Sequence, residues 1–139
     1  LLLHQRPYQW TYAVAFLNSN SINPPMYEYK GTYKVTGIEY EPNNVVKLKL
    51  EGEGVLITVE LPAIINKFKQ GDSVLISLSS SKDENYKGNW DVYMWGIVYY
   101  LGDNFMRISI GGFILHMEGN ISNRPNLGDK IYVGLKAIS

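Results

Sequence analysis

The chain contains 139 residues, of which 45% are hydrophobic, 13% are aromatic and 19% are charged. This length supports one domain with its own core, and the 13 glycines and many aromatic residues favour strands and turns over helices. Thirteen basic and thirteen acidic residues give a formal net charge of zero. This balance argues against autonomous nucleic-acid binding, because proteins that bind phosphates usually carry a basic excess.

The absence of cysteine excludes disulfides, thiolate metal sites and cysteine nucleophiles. No apolar run approaches the roughly 20 residues that span a bilayer. We therefore expect a cytoplasmic protein without membrane contact. Residues 1–25 carry only one charge, Arg6, and end in a segment rich in Asn, Ser and Pro. We expect them to be a poorly ordered or non-native extension (a docking arm is the alternative) before a folded domain over residues 26–139.

Alternating apolar residues predict three strands in the first half of this domain. In the strand over residues 29–40 the alternation changes phase at Gly37, which predicts a β-bulge. The next two strands place the apolar residues of 46–50 and 55–61 on one face. The turn formers at residues 52–54 lie between them, so this pair is predicted to be a hairpin.

A short helix is predicted after the hairpin. Pro62 and Gly71 flank the segment 63–69, whose apolar residues follow helical spacing. A fourth strand is predicted over residues 74–78. The following segment, residues 79–89, is rich in turn formers and is predicted to be a loop.

The second half of the domain is predicted to consist of strands. The strand over residues 91–100 is apolar on both faces, which indicates that its second face is covered by something else. Even-numbered residues are predicted to face the core over 106–110, and odd-numbered residues over 113–117. An extra residue is therefore expected at Gly111-Gly112 to restore the register. The last strand covers residues 131–137. This order predicts an all-β, OB-like barrel of about eight strands with one short helix.

Few residues are suited to catalysis or to metal binding. The sequence has two histidines, and His116 is predicted on the polar face of a strand, whereas His4 lies in the N-terminal extension. A nucleophilic grouping of Ser109 with His116 is a weak hypothesis, because Ser109 lies in mid-strand rather than on a strained turn. One usable histidine with scattered carboxylates does not supply a metal site. We therefore expect no catalytic residues, no metal and no cofactor.

Aromatic residues are concentrated between residues 90 and 100. Aromatic side chains on an OB-type sheet stack on unpaired bases, but Arg107 is the only cation between Trp90 and Leu115. Aromatic anchors with few charges are typical of the centre of a protein–protein interface. Three interpretations remain open for each ring, namely core filling, a protein interface and a nucleic-acid site. The rings concerned are Trp90, Tyr93, Trp95, Tyr99 and Tyr100.

Part of the chain resembles a known family. The segment Asp91-Val92-Tyr93-Met94-Trp95-Gly96 resembles the Asp-Tyr-Val-Met-Tyr-Gly segment of subunit eight of DNA-dependent RNA polymerases. Residues 108–119, which include Gly111-Gly112, are similar to the family's Ser-Phe-Gly-Gly-Leu-Leu-Met-x-Leu-x-Gly segment. Asn126-Leu127 and Ile131-Tyr132-Val133 are similar to its closing Asn-Leu and terminal strand. The match covers residues 90–138, is weak over 26–79 and is absent from 1–25.

The resemblance implies an OB-related barrel with a non-catalytic, structural role in assembly of the polymerase. The implied partner is the largest subunit, and nucleic acid is contacted only indirectly. The short loop over residues 79–89 is similar to the short archaeal form of the family and lacks the long insertion of eukaryotic members. An autonomous single-stranded nucleic-acid-binding protein is the alternative, and a barrel that encloses a small ligand is a third. The expected docking residues are Trp90, Tyr93, Trp95, Tyr99, Gly111, Gly112, Phe113 and Leu115.

Overall fold

Successive side chains of a strand point to opposite faces of a sheet, so the alternating segments bury one face in a common core. The computed structural model describes residues 26–138, which form eight strands joined in a closed barrel of order β1-β2-β3-β7-β6-β5-β8-β4. All neighbouring strands are antiparallel. The predicted all-β, OB-like barrel is therefore confirmed. The strands are β1 (Glu28–Glu41), β2 (Val45–Gly52), β3 (Val55–Pro62), β4 (Ser73–Ser79), β5 (Val92–Leu101), β6 (Phe105–Ile110), β7 (Phe113–Gly119) and β8 (Lys130–Ala137).

The core of the barrel is formed by the inward positions that the alternation predicts. Leu48 and Leu50 of β2 face Ile57 and Val59 of β3, and all four side chains are fully buried. Buried apolar side chains from the remaining strands complete one continuous cluster. This filled interior counts against a barrel that encloses a small apolar ligand.

The bulge predicted at Gly37 is confirmed. Val35 pairs with Leu50, and Gly37 pairs with Lys49, so Thr36 is the extra residue in β1. The bulge bends this long strand, which pairs with β2 along its second half and with β4 along its first half. The first strand, β1, thereby pairs with β2 on one side and with β4 on the other.

The helix predicted over residues 63–69 is wrong in extent. Only Ala63–Ile65 forms a single 3-10 turn, and Asn66 has an extended backbone with φ −75° and ψ 124°. The Asn66 side chain accepts a hydrogen bond from the Phe68 N–H at 3.1 Å and donates one to the Phe68 carbonyl at 3.3 Å. These local bonds replace helical ones, a competition that is common for Asn. Phe68 consequently turns into the core, and Ile64 remains exposed.

The extra residue expected at Gly111-Gly112 is not present, because the pair forms the two-residue turn between β6 and β7. Both glycines have positive φ, 59° for Gly111 and 101° for Gly112, as tight hairpin turns require. Ile110 pairs with Phe113, and Ile108 pairs with Leu115. Directly paired residues lie on the same face of a sheet. The change from even to odd inward positions therefore follows from the hairpin itself.

Replacing Gly112 with alanine is expected to lower the free energy of unfolding by about 1–2 kcal/mol, because an L side chain is strained at this φ. The matched control is Gly111→Asn, which we expect to be nearly neutral, since asparagine enters the left-handed region readily. Urea denaturation of both variants measures the difference. Equal stability of Gly112→Ala and the wild type would contradict the turn requirement.

The expectation for residues 1–25 lies outside the described residues. Within residues 26–138, helical structure is confined to the 3-10 turn and to α1 (Tyr86–Asn89), both a few residues long. None of this helical structure is long and apolar enough to cross a membrane.

Candidate functional site

The loop between β4 and β5 is held together by one carboxylate. Asp83 accepts hydrogen bonds from the Trp90 indole N–H and the Asn89 side-chain amide, both at 2.9 Å, and from the Asn85 backbone N–H at 2.8 Å. Its own backbone N–H donates to the Tyr93 hydroxyl at 2.7 Å. The loop predicted over residues 79–89 therefore contains α1 and is attached to the outer face of β5.

Trp90 serves as the anchor of this loop. Its indole lies over Gly134 of β8, where an added Cβ atom would lie 2.6–2.9 Å from three ring atoms. The ring is half-buried, and its N–H is already bonded to Asp83. These contacts with Asp83 and Gly134 are sufficient to account for Trp90 as a structural residue. The sequence signal for this contact is Gly134, which interrupts an apolar strand where another group approaches closely.

Four aromatic side chains form a continuous layer on the outer face of β5 and β8. The rings of Tyr86 and Tyr93 stack with centroids 5.1 Å apart and an interplanar angle of 14°. Tyr93 also stacks on Tyr132, with centroids 5.9 Å apart and an angle of 9°. Trp95 pairs with Tyr132 across the two strands. All four are half-buried, and we call Tyr86, Tyr93, Trp95 and Tyr132 the aromatic surface.

Lysines from distant parts of the chain flank the aromatic surface. The Lys130 ammonium lies 4.3 Å from the Trp95 ring centroid and 5.1 Å from that of Tyr132. Lys82 lies 5.4 Å from the Tyr86 ring. Sequence reasoning missed these cations because it considered only residues 90–115. The pairing of β5 with β8, which places Lys130 opposite Ile97, brings one of them to the rings.

The remaining predicted docking residues do not all lie on an outer surface. Leu115 is fully buried in the barrel core, so its expected role in docking is wrong. The physical reason is the hairpin register, which places Leu115 opposite the buried Ile108. Phe113 is half-buried and packs against the edge of the core.

Gly111 and Gly112 lie near the aromatic surface, whereas Tyr99 does not belong to it. Both glycines are exposed at the tip of the β6–β7 hairpin. The pairing of Ile97 with Ser109 directs this tip toward the Trp95 end of β5. Tyr99 is the unpaired residue of a bulge at the opposite end of β5 and is 44% exposed. It lines an outer groove with Arg107 and His116 instead.

The ring nitrogens of His116 are both engaged. Arg107 donates from Nε to Nδ1 of His116 at 3.1 Å, and Nε2 lies 2.9 Å from a Glu118 carboxylate oxygen. This arrangement leaves no ring nitrogen to accept a proton from Ser109, which removes the basis for the nucleophilic grouping. Within residues 26–138, no cluster of three or more His, Asp and Glu side chains is arranged to hold a metal ion.

The attachment of the loop is expected to depend on pH. Hydrogen bonds from the side chains of Asn89 and Trp90 and from the backbone of Asn85 hold the pKa of Asp83 below its ordinary value of 3.8. A lowered folded-state pKa stabilises the folded loop above the ordinary pKa, and this contribution is lost as pH falls through the folded-state pKa. We expect the NMR signal of the Trp90 indole N–H to move in acid below pH 3.8.

The variant Asp83→Ala should show the displaced Trp90 signal already at neutral pH, because the acceptor is missing. Glu84→Ala is the matched control, since Glu84 is an exposed neighbouring carboxylate that accepts no hydrogen bond from Trp90. An unchanged Trp90 signal in Asp83→Ala would show that the carboxylate does not hold the indole.

Residues 26–138 form a closed, eight-stranded antiparallel β-barrel with an aromatic outer face. In comparisons with known proteins, no family model matches the chain and no curated protein matches it in sequence.

Proposed function

We propose that this chain is a non-catalytic structural subunit of an archaeal DNA-dependent RNA polymerase, which helps assembly in the cytoplasm by docking on the largest subunit. The aromatic surface and the adjoining Gly111-Gly112 turn form the docking site in this proposal. The observation that carries it is the second apolar face of β5, where Tyr93, Trp95 and Ile97 point outward and are only half-buried.

The aromatic surface has the properties of a preformed interface anchor. Aromatic side chains bury large areas and often dominate binding energy at the centre of an interface. Stacking of Tyr93 between α1 and β8 holds the rings in place before binding. A partner therefore loses little binding energy to the ordering of these side chains. This arrangement favours a stable protein partner over a transient one.

The two segments that resemble the polymerase subunit lie side by side. Residues 91–96 cover the start of β5, and the segment with the glycine pair extends from β6 into β7. An added Cβ on Gly96 would clash with the Ser109 carbonyl oxygen, so the two strands approach closely there. The resemblance thus falls on one contiguous part of the barrel, which supports a shared docking role. The close approach of the two strands is sufficient to explain why position 96 is a glycine.

The charges around the rings indicate what the partner surface contains. Lys82 and Lys130 flank the aromatic surface, and cations at an interface rim favour acidic groups on the other side. In this proposal the largest subunit presents an apolar patch with an acidic border to β5 and β8. A stable contact of this kind buries about 800 Å² on each partner.

The test is complex formation between the full chain and the largest subunit of an archaeal polymerase. We expect co-elution in size-exclusion chromatography at micromolar concentrations of the two proteins. Separate elution of the two proteins under these conditions would refute the docking proposal.

A second candidate function is single-stranded nucleic-acid binding, which Lys82 and Lys130 favour because such sites combine aromatic rings with cations. Tyr93 already stacks against two other tyrosines, so a base would have to replace ring contacts in order to stack. This cost makes the protein interface the better-supported proposal. A nucleic-acid site requires oligonucleotide affinity that falls steeply with salt and weakens in Lys130→Ala. Weak or salt-insensitive binding would remove this candidate.

A further inference from the structure

A cavity opens at the end of the barrel near the β2–β3 turn. Its volume is about 140 Å³. Val55, Met117 and Ile121 supply apolar lining, and the acidic residues Glu28 and Glu53 also line the cavity. The mouth of a β-barrel is a preferred place for small ligands, because its concave shape takes them out of water.

Two tyrosines extend the polar lining into the barrel. The hydroxyl of Tyr33, a residue that is only 1% exposed, forms a hydrogen bond with the hydroxyl of Tyr29, which lines the cavity. An added Cβ on Gly31 would lie 2.7 Å from the Tyr29 hydroxyl and 3.2 Å from a Glu53 carboxylate oxygen. The missing side chain of Gly31 therefore makes room for the Tyr29 hydroxyl and the Glu53 carboxylate to lie close together. Burial raises the pKa of both tyrosines, so both hydroxyls are uncharged at neutral pH.

Among residues 26–138, the two acidic residues that line the cavity have no basic residue beside them in the lining. Glu28 and Glu53 form no ion pair with any residue of the 26–138 range, and no Lys, Arg or His of that range lines the cavity. Asn120 and Asn123, which also line it, carry neutral side-chain amides that can both accept and donate hydrogen bonds. Two carboxylates without an ion-pair partner, one of which (Glu53) also interacts with the Tyr29 hydroxyl, favour a ligand that is positively charged and carries N–H donors.

We propose that this cavity binds the guanidinium or alkylammonium end of a ligand with an alkyl stem. Glu28 and Glu53 accept its N–H donors, and the aromatic ring of Tyr29 adds a cation–π contact. The alkyl stem packs along Val55 and Ile121. The cation comes from a free polyamine or from an arginine or lysine side chain of another protein, and its chemistry is the same in both cases. This site is independent of the proposed polymerase function.

The test uses the full chain and two probes of equal shape, butylguanidinium and its neutral isostere butylurea. We expect butylguanidinium to shift the backbone NMR signals of Glu53, Ile121 and Asn123, with a Kd on the order of millimolar for so small a probe. Butylurea at the same concentration should leave them in place. Equal shifts from both probes, or none from butylguanidinium, would overturn the proposal.

A variant pair assigns the binding to the cavity. Glu53→Gln keeps the shape of the side chain but removes its charge, and it should weaken butylguanidinium binding about tenfold. Glu39→Gln changes an exposed carboxylate near the other end of β1 and should leave the Kd unchanged. Unchanged affinity in a folded Glu53→Gln protein would also overturn the proposal.

Two further titrations identify the source of the cation, and both outcomes retain the cationic chemistry. If a side chain of the largest subunit fills the cavity, butylguanidinium no longer binds once the complex has formed. If a free polyamine is the ligand, spermidine displaces butylguanidinium from the isolated chain and the site stays open in the complex. Failure of docking leaves the titrations of the isolated chain unaffected, so the two proposals fail separately.

Discussion

Replacing Leu115 with alanine is expected to lower the free energy of unfolding by about 2–5 kcal/mol, the largest effect predicted for this barrel. The side chain is fully buried and lies between Val59 of β3 and Ile108 of β6, which are both fully buried. Truncation removes the apolar contacts and leaves a cavity that the surrounding strands fill only partly. Urea denaturation measures the loss as a lower midpoint with an unchanged slope.

The control for this substitution is Tyr99→Ala, on the exposed bulge of β5, which should change stability by no more than about 0.5 kcal/mol. Leu115 and Tyr99 are both predicted from the sequence to be docking residues, and the structure separates them. A Leu115→Ala protein with wild-type stability and impaired docking would contradict the assignment of Leu115 to the core.

Replacing Trp95 with alanine is expected to weaken binding to the largest subunit by about 2 kcal/mol, roughly 30-fold, if the aromatic surface is the docking site. The ring is half-buried on the outer face of β5, outside the barrel core. The isolated variant should therefore remain folded, so that the loss of affinity is not a loss of structure. Titration of the largest subunit with wild type and variant measures the difference in Kd.

Lys49→Ala is the matched control, because Lys49 is exposed on β2, four strands away from β5 in either direction around the barrel. We expect its affinity for the largest subunit to equal that of the wild type. Equal losses in the two variants would mean that binding is not localised to β5 and β8. Wild-type affinity in Trp95→Ala would refute the aromatic surface as the docking site.

Alternation along the chain is sufficient to predict the barrel and most of its core. Leu48, Ile57 and Ile76 are fully buried, as the period-two pattern requires of a strand with one inward face. The pattern at Gly111-Gly112 is ambiguous, because an inserted residue and a two-residue hairpin produce the same change from even to odd. Only the pairing of Ile110 with Phe113 distinguishes them.

The candidate site is less predictable, because it depends on contacts between distant segments. Lys130 approaches Trp95 through the pairing of β5 with β8, which no local pattern encodes. Trp90 is predicted as a docking residue from its type, yet Asp83 and Gly134 hold it in place as a structural anchor. The helix prediction is wrong for a local reason, since the side chain of Asn66 competes for backbone groups that a helix needs.

Closure of the barrel restricts how any other molecule can recognise this protein. Each described strand has a hydrogen-bonded neighbour on both sides, so the sheet of residues 26–138 presents no open edge. A partner cannot extend the sheet by adding a β-strand, a mode that requires free backbone groups at an edge. Selectivity must therefore come from side chains and from the turns at the barrel ends. For the same reason, copies of this barrel can expose an aromatic outer face without joining edge to edge into fibrils.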